Sequence, residues 1–128
     1  MARPFKCRCI CSFPDVTAFE PCRRSNVQHE TLEGIQLGID EYEVIRLIDY
    51  RGFSQEECAV RMHVARTTVA RMYDNARRKI AEALVLGKKL SITGGEVMVC
   101  ERMRPECIGE PHCCHREKME RNETEDTP

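Results

Sequence analysis

The feature that most restricts how this chain can fold is a pair of helix signals separated by only three residues. Ser54 followed by Glu57 forms a capping box: the serine hydroxyl can accept from the third helical N–H while the glutamate reaches back to the serine N–H. This opens a helix over Gln55–Met62 with Cys58, Ala59 and Met62 on its apolar side. After the turn His63-Val64-Ala65, a longer stretch carries Val69, Met72, Tyr73, Ala76, Ile80, Ala83 and Leu84 at spacings of one, three and four, and it ends at Gly87. Helices joined this closely must cross, and a crossing needs a small side chain, which Ala59 supplies. Val64 is placed to plug the turn. His63 stands where glycine is usual, and histidine tolerates a left-handed backbone better than β-branched residues do.

Upstream, Asp40 with Glu43 repeats the capping pattern and starts a helix reaching about Tyr50, with Val44, Ile45, Leu47 and Ile48 as its apolar face. The alternation in Ile35–Ile39 suits a short strand, and Leu90–Ile92 and Val97–Val99 flank Thr93-Gly94-Gly95-Glu96 as in a hairpin. The expected fold is therefore mainly α: a three-helix helix-turn-helix domain with a short strand or hairpin and irregular cysteine-rich termini. The chain divides into a cysteine-containing arm over 1–34, the helical domain with its flanking strands over 35–99, a cysteine- and histidine-rich loop over 100–117, and a disordered charged tail over 118–128.

With 128 residues, 41% of them apolar, there is room for one small core. No apolar run approaches the roughly 20 residues that cross a bilayer, and no signal-peptide stretch opens the chain, so a cytoplasmic protein without a membrane partner is expected. No His and Asp or Asn constellation surrounds any of the nine cysteines at a recognisable catalytic spacing, which argues against an enzyme.

The formal charge of −1 conceals an asymmetry. Arg61 to Lys89 holds eight basic residues against Asp74 and Glu82, whereas the tail from Arg116 holds five acidic residues against three basic ones. With the apolar stripe of the long helix turned inward, Arg66, Thr67, Ala70, Arg71 and Asp74 face outward. Arg66 and Arg71 can each donate two hydrogen bonds to guanine, and the methyl of Thr67 or Ala70 can meet thymine. Thr68, Arg77, Arg78 and Lys79 are expected on phosphates, adding affinity without sequence information. The partner expected on these grounds is double-stranded DNA, bound by a homodimer on a palindrome, because one such module reads few base pairs.

Nine cysteines without an export signal point to metal rather than disulfides. Cys7, Cys9 and Cys11 alternate along an extended arm, with Cys22 beyond a loop, and the C-terminal set is Cys100, Cys107, Cys113 and Cys114 with His112 and His115. Either set offers enough ligands for one zinc, and the thiolates alone could hold an iron-sulfur cluster. Cys58, on the apolar side of its helix, is instead a small core residue.

The segments Asp40-Glu41-Tyr42-Glu43-Val44-Ile45-Arg46-Leu47-Ile48-Asp49, Ser54-Gln55-Glu56-Glu57-Cys58-Ala59 and Val64-Ala65-Arg66-Thr67-Thr68-Val69 resemble the prokaryotic family called domain of unknown function 134. Arg3-Pro4, Lys6-Cys7-Arg8 and Leu90-Ser91-Ile92-Thr93-Gly94-Gly95 fit it as well, so the resemblance spans roughly residues 2 to 95. It implies a DNA-binding protein whose helix-turn-helix is similar to region 4 of sigma-70-class factors. The expectation is a sequence-specific transcriptional regulator, responsive to metal or redox state. The alternative is a metallocluster-binding or carrier protein whose helical domain docks a partner protein.

Overall fold

The computed structural model describes residues 8–22, 24, 33–95 and 97–99. In chain order the elements are β1 (Arg8–Ile10), β2 (Ala18–Phe19), β3 (Ile35–Leu37), α1 (Ile39–Ile45), a π-helical turn (Arg46–Tyr50), α2 (Gln55–Met62), α3 (Arg66–Leu86), β4 (Leu90–Ile92) and β5 (Val97–Val99). The turn-linked pair has the expected bounds. The Ser54 hydroxyl accepts from Glu57 N and the Glu57 carboxylate accepts from Ser54 N, both at 3.1 Å, so the capping box is closed. His63 takes the left-handed conformation at φ 57°, and Val64 N–H donates to the Ala59 carbonyl at 3.1 Å, which reverses the chain within three residues.

Two apolar clusters are strung along α3. The first joins Val44 and Leu47 to Cys58, Ala59 and Met62 of α2 and to Val69 and Met72 of α3, with Phe53, Val64 and Tyr73 packed around them. The second joins Ala76 of α3 to Leu37 of β3 and Ile92 of β4, flanked by Ile39, Tyr42, Ile45 and Ile80. The helix pair thus shares α1 with a small sheet, and α3, 21 residues long, runs across both cores.

A mainly α fold is not what forms: among the described residues five strands in two sheets accompany three α-helices. The arm expected as loop supplies two of those strands. β4 lies at the centre of a three-stranded sheet, antiparallel to β2 and parallel to β3, with Leu90 opposite both Phe19 and Ile35 and Ile92 opposite Leu37. The expected hairpin between β4 and β5 is absent, because β5 pairs instead in parallel with β1, placing Cys9 opposite Met98 and Ile10 opposite Val99. Gly94 and Gly95 explain the parting of the two strands. Both have positive φ, Ile39 N–H donates to the Gly94 carbonyl at 3.0 Å, and a Cβ on Gly95 would stand 2.7 Å from Asp40 Oδ1. The glycines wrap the chain over the start of α1, and β5 leaves toward the arm.

The start of α1 also differs from expectation. The helix begins at Ile39 after Gly38, whose N–H donates to Glu41 Oε1 at 2.8 Å, so Glu41 rather than Glu43 closes the cap. Glu43, relieved of that role, is 2% exposed and belongs to the contact between arm and helices.

Candidate nucleic-acid interface

α3 separates its side chains cleanly into two faces. Val69, Met72, Ala76 and Ala83 are buried, whereas Arg66, Thr67, Arg71, Asp74, Arg77 and Arg78 are exposed and Thr68 and Ala70 half-buried. Arg66, Arg71 and Arg78 make no ion pair among the described residues, and Arg66 stands in the first turn of the helix, directly after the turn. Lys79 departs from the expected phosphate-facing set. Three residues beyond Ala76 and four before Ala83, it lies in the row of the buried stripe, and its ammonium is 2.6 Å from Glu41 Oε1 on α1. Leu84, expected in the core, is 79% exposed at the far end of the helix.

Arg77 belongs to a polar group joining α3 to the π-helical turn. Tyr73 Oη donates to Asp49 Oδ1 at 2.6 Å, Arg77 Nε lies 3.6 Å from Asp49 Oδ2, and the Arg77 guanidinium stacks 5.2 Å from the centroid of the Tyr73 ring. The hydrogen bond to the Asp49 carboxylate pushes the Tyr73 hydroxyl above its ordinary pKa. Asp49 reaches α3 because the chain widens into i→i+5 hydrogen bonding here, with Arg51 N–H donating to the Arg46 carbonyl at 2.9 Å.

A second polar group sits where the arm meets the helices. Glu43 Oε2 accepts from Cys11 N at 2.8 Å, and its Oε1 is paired with Arg46 Nε. Arg46 Nη2 and Arg61 Nη2 each lie 3.2 Å from Cys11 Sγ. Burial disfavours the charged form of Arg46, but the hydrogen bond and charge of Glu43 outweigh it and the pKa is raised. Arg61, 9% exposed, also stacks on Phe53 at 5.4 Å. Helical patterning casts Glu43 as a cap and assigns Arg46 and Arg61 no contact, because the segment that carries Cys11 is 32 residues or more away.

Cys58, taken as core from its helical position, is fully buried with Sγ 3.7 Å from Met62 Sδ. Burial, and after it the Glu43 charge, raises its pKa to about 12. Because the free thiol ionises near 9.0, its folded form keeps a proton that the unfolded chain loses. Stability is therefore expected to fall as pH rises from about 9 toward 12, and native protein at pH 8 should leave Cys58 unalkylated by iodoacetamide until urea unfolds it. Peptide mass spectrometry before and after unfolding reads this directly.

Of the cysteines expected as ligands, Cys9, Cys11 and Cys22 lie among the described residues and do not come together as one cluster. Cys9 is buried in β1, Cys11 is held among the arginines, and Cys22 lies exposed at an apolar groove of about 860 Å³ between the small sheet and the end of α3. Among the described residues no three of His, Cys, Asp and Glu come together as a metal site. Cys7, Cys100, Cys107, His112, Cys113, Cys114 and His115 lie outside the described residues. No helix among the described residues is long and apolar enough to cross a membrane.

The described part of the chain is thus a small mixed α and β protein built on a turn-linked helix pair with an arginine-bearing face. It belongs to the family described as protein of unknown function DUF134, which its residues 1–100 match. A UPF0251 protein of Desulfitobacterium hafniense (strain Y51) is 46% identical over 107 residues, covering 84% of this chain and 83% of the relative. One from Thermoanaerobacter sp. (strain X514) is 45% identical over 101 residues, covering 79% and 87%, and one from Chlorobium chlorochromatii (strain CaD3) is 40% identical over 115 residues, covering 87% and 63%. No solved structure matches the chain.

Proposed function

We propose that this protein binds double-stranded DNA with the exposed face of α3 and acts as a sequence-specific transcriptional regulator. The observation that carries the reading is the arrangement of that helix: it follows a three-residue turn, its inner row is packed on α1 and α2, and Arg66, Arg71 and Arg78 stand in solvent on the opposite side. A helix entered from a tight turn and supported from behind can lie in the major groove with its first two turns on base edges. Arg66 and Arg71 then read bases, while Arg78, about two turns beyond Arg71, meets phosphate. Arg77 can join it once released from Asp49. Lys79 serves α1 and takes no part. A homodimer is the form expected on an operator, since two copies double the number of bases read.

The test is a binding site selected from random duplex DNA, followed by anisotropy titrations across a salt series. Arg66→Ala and Arg71→Ala should each cost about 1–3 kcal/mol at the selected site and relax base preference there. Arg78→Ala should weaken all sequences alike. No salt-dependent binding by the unaltered protein, or selected-site affinity and preference unchanged in both Arg66 and Arg71 variants, would refute the reading.

A further inference from the structure

We infer that Tyr73 and Arg77 form a backbone-phosphate subsite on α3 and that Asp49, reaching over from the π-helical turn, occupies it in the free protein as a built-in competitor. The inference rests on the DNA-binding reading above and adds to it a gate on one phosphate contact. Tyr73 Oη and Arg77 Nε each face a different oxygen of the same Asp49 carboxylate, at 2.6 Å and 3.6 Å. A phenol hydroxyl and a guanidinium aimed at two oxygens of one anion are also the donors that a phosphodiester takes from a protein. Stacking on the Tyr73 ring fixes the direction of the Arg77 guanidinium before any ligand arrives. Arg77 is 62% exposed and Asp49 36%, so a phosphate can approach the donors without unfolding anything.

The position agrees with the proposed docking. Arg66, Ala70, Tyr73 and Arg77 follow one another at spacings of four, three and four, so the subsite continues one edge of the proposed DNA face toward the C-terminus of α3. Asp49 stands beside this edge only because the turn from Arg46 to Tyr50 is π-helical, a geometry that recurs at functional sites and here turns a carboxylate toward a neighbouring helix. A carboxylate on those donors is weakly held at an exposed site and gives way to a phosphate that brings the polyanion with it. Asp49 therefore acts through Arg77 and Tyr73: it keeps the two donors on one anion and, because a phosphate contact carries no sequence information, lowers affinity for every duplex alike by the cost of displacing it.

The experiment measures binding of a random-sequence duplex by the full chain across a salt series, for the unaltered protein and for Asp49→Asn, Arg77→Gln and the double variant. Asparagine keeps an acceptor for Tyr73 Oη but removes the charge, so folding should be retained, with circular dichroism and the melting temperature as the check. Asp49→Asn should bind about threefold to tenfold tighter at low salt, with a slope of log affinity against log salt steeper by roughly one phosphate contact. The gain and the added slope should both disappear in the Arg77→Gln background, because the released contact is Arg77's own. Asp74→Asn removes one negative charge from α3 itself while leaving the Asp49 carboxylate on Tyr73 and Arg77, and its smaller gain should persist beside Arg77→Gln. Duplex binding by the unaltered protein together with equal gains from Asp49→Asn in both backgrounds, or an unchanged slope, overturns the subsite and leaves the DNA-binding reading standing. Absence of duplex binding by the unaltered protein and all variants overturns both.

Discussion

Replacing Glu43 by alanine is expected to cost about 3–5 kcal/mol of folding stability, the range that follows when one member of a buried ion network is removed and its partners stay behind. Glu43 is 2% exposed and uses both oxygens, one on Cys11 N and the other on Arg46 Nε. Its loss strands Arg46 beside the buried Arg61 with their two charges facing the Cys11 sulfur, and it leaves the Cys11 N–H without its carboxylate acceptor. Because Cys11 follows directly on β1, the damage should be felt first in the arm. Urea unfolding of the variant should show the loss at the transition midpoint, and amide exchange should show Ile10 and Cys11 opening before Met62 and Val69. A loss below about 1 kcal/mol would mean that the network contributes geometry without stability. A conservative Glu43→Gln, which keeps the shape and one acceptor but no charge, should fall between the two proteins.

What the sequence displayed and what it hid can be traced to distance along the chain. The α2–α3 pair was legible because everything that defines it lies within a few residues: Ser54 and Glu57 cap, Ala59 meets the turn, and Val69 and Met72 sit one turn apart on the following helix. The sheets were not. β1 and β2 have three residues and two, too few to display a period, and their partners lie at Val97–Val99 and Leu90–Ser91, so nothing local marks either as a strand. The two glycines at 94 and 95 read as a hairpin turn, yet Gly94 accepts from Ile39 N–H and Gly95 closely approaches Asp40, contacts that only the folded α1 reveals.

The candidate interface divides the same way. Arg66, Arg71 and Arg78 follow from helical spacing alone, since each stands away from the row of Val69, Met72 and Ala76. The same spacing holds the warning about Lys79, which shares a row with Met72, Ala76 and Ala83; grouping it with Arg77 and Arg78 by charge ignored that each step of one residue turns about 100° around the helix. Leu84 departs in the opposite direction: it continues the row of Tyr73 and Ile80, but it stands 79% exposed on the wall of the open apolar groove that Ile80 and Leu90 also line. Asp49 could not be found from either rule, because its approach to Tyr73 depends on one wide turn that no residue in Arg46–Tyr50 announces.

That wide turn carries the remaining large effect. Leu47 is fully buried among Val44, Cys58, Met62, Val69 and Met72, and its carbonyl accepts from Phe53 N at 2.9 Å, closing the link into α2. Leu47→Ala should destabilise the protein by about 2–5 kcal/mol, the sum of lost transfer free energy and a cavity that three converging helical segments cannot easily collapse. Ile48, which packs only at the margin of the same cluster, should cost clearly less on conversion to alanine. The contrast tests the register as well as the packing, since Leu47 points into the cluster and Ile48 lies at its margin. Denaturation of the two single variants measures it: a larger loss for Ile48→Ala than for Leu47→Ala would show that the segment from Arg46 to Tyr50 is set in a different register, with Ile48 and not Leu47 in the core. The position of Asp49 against α3, and with it the gate on Arg77, would then have no support.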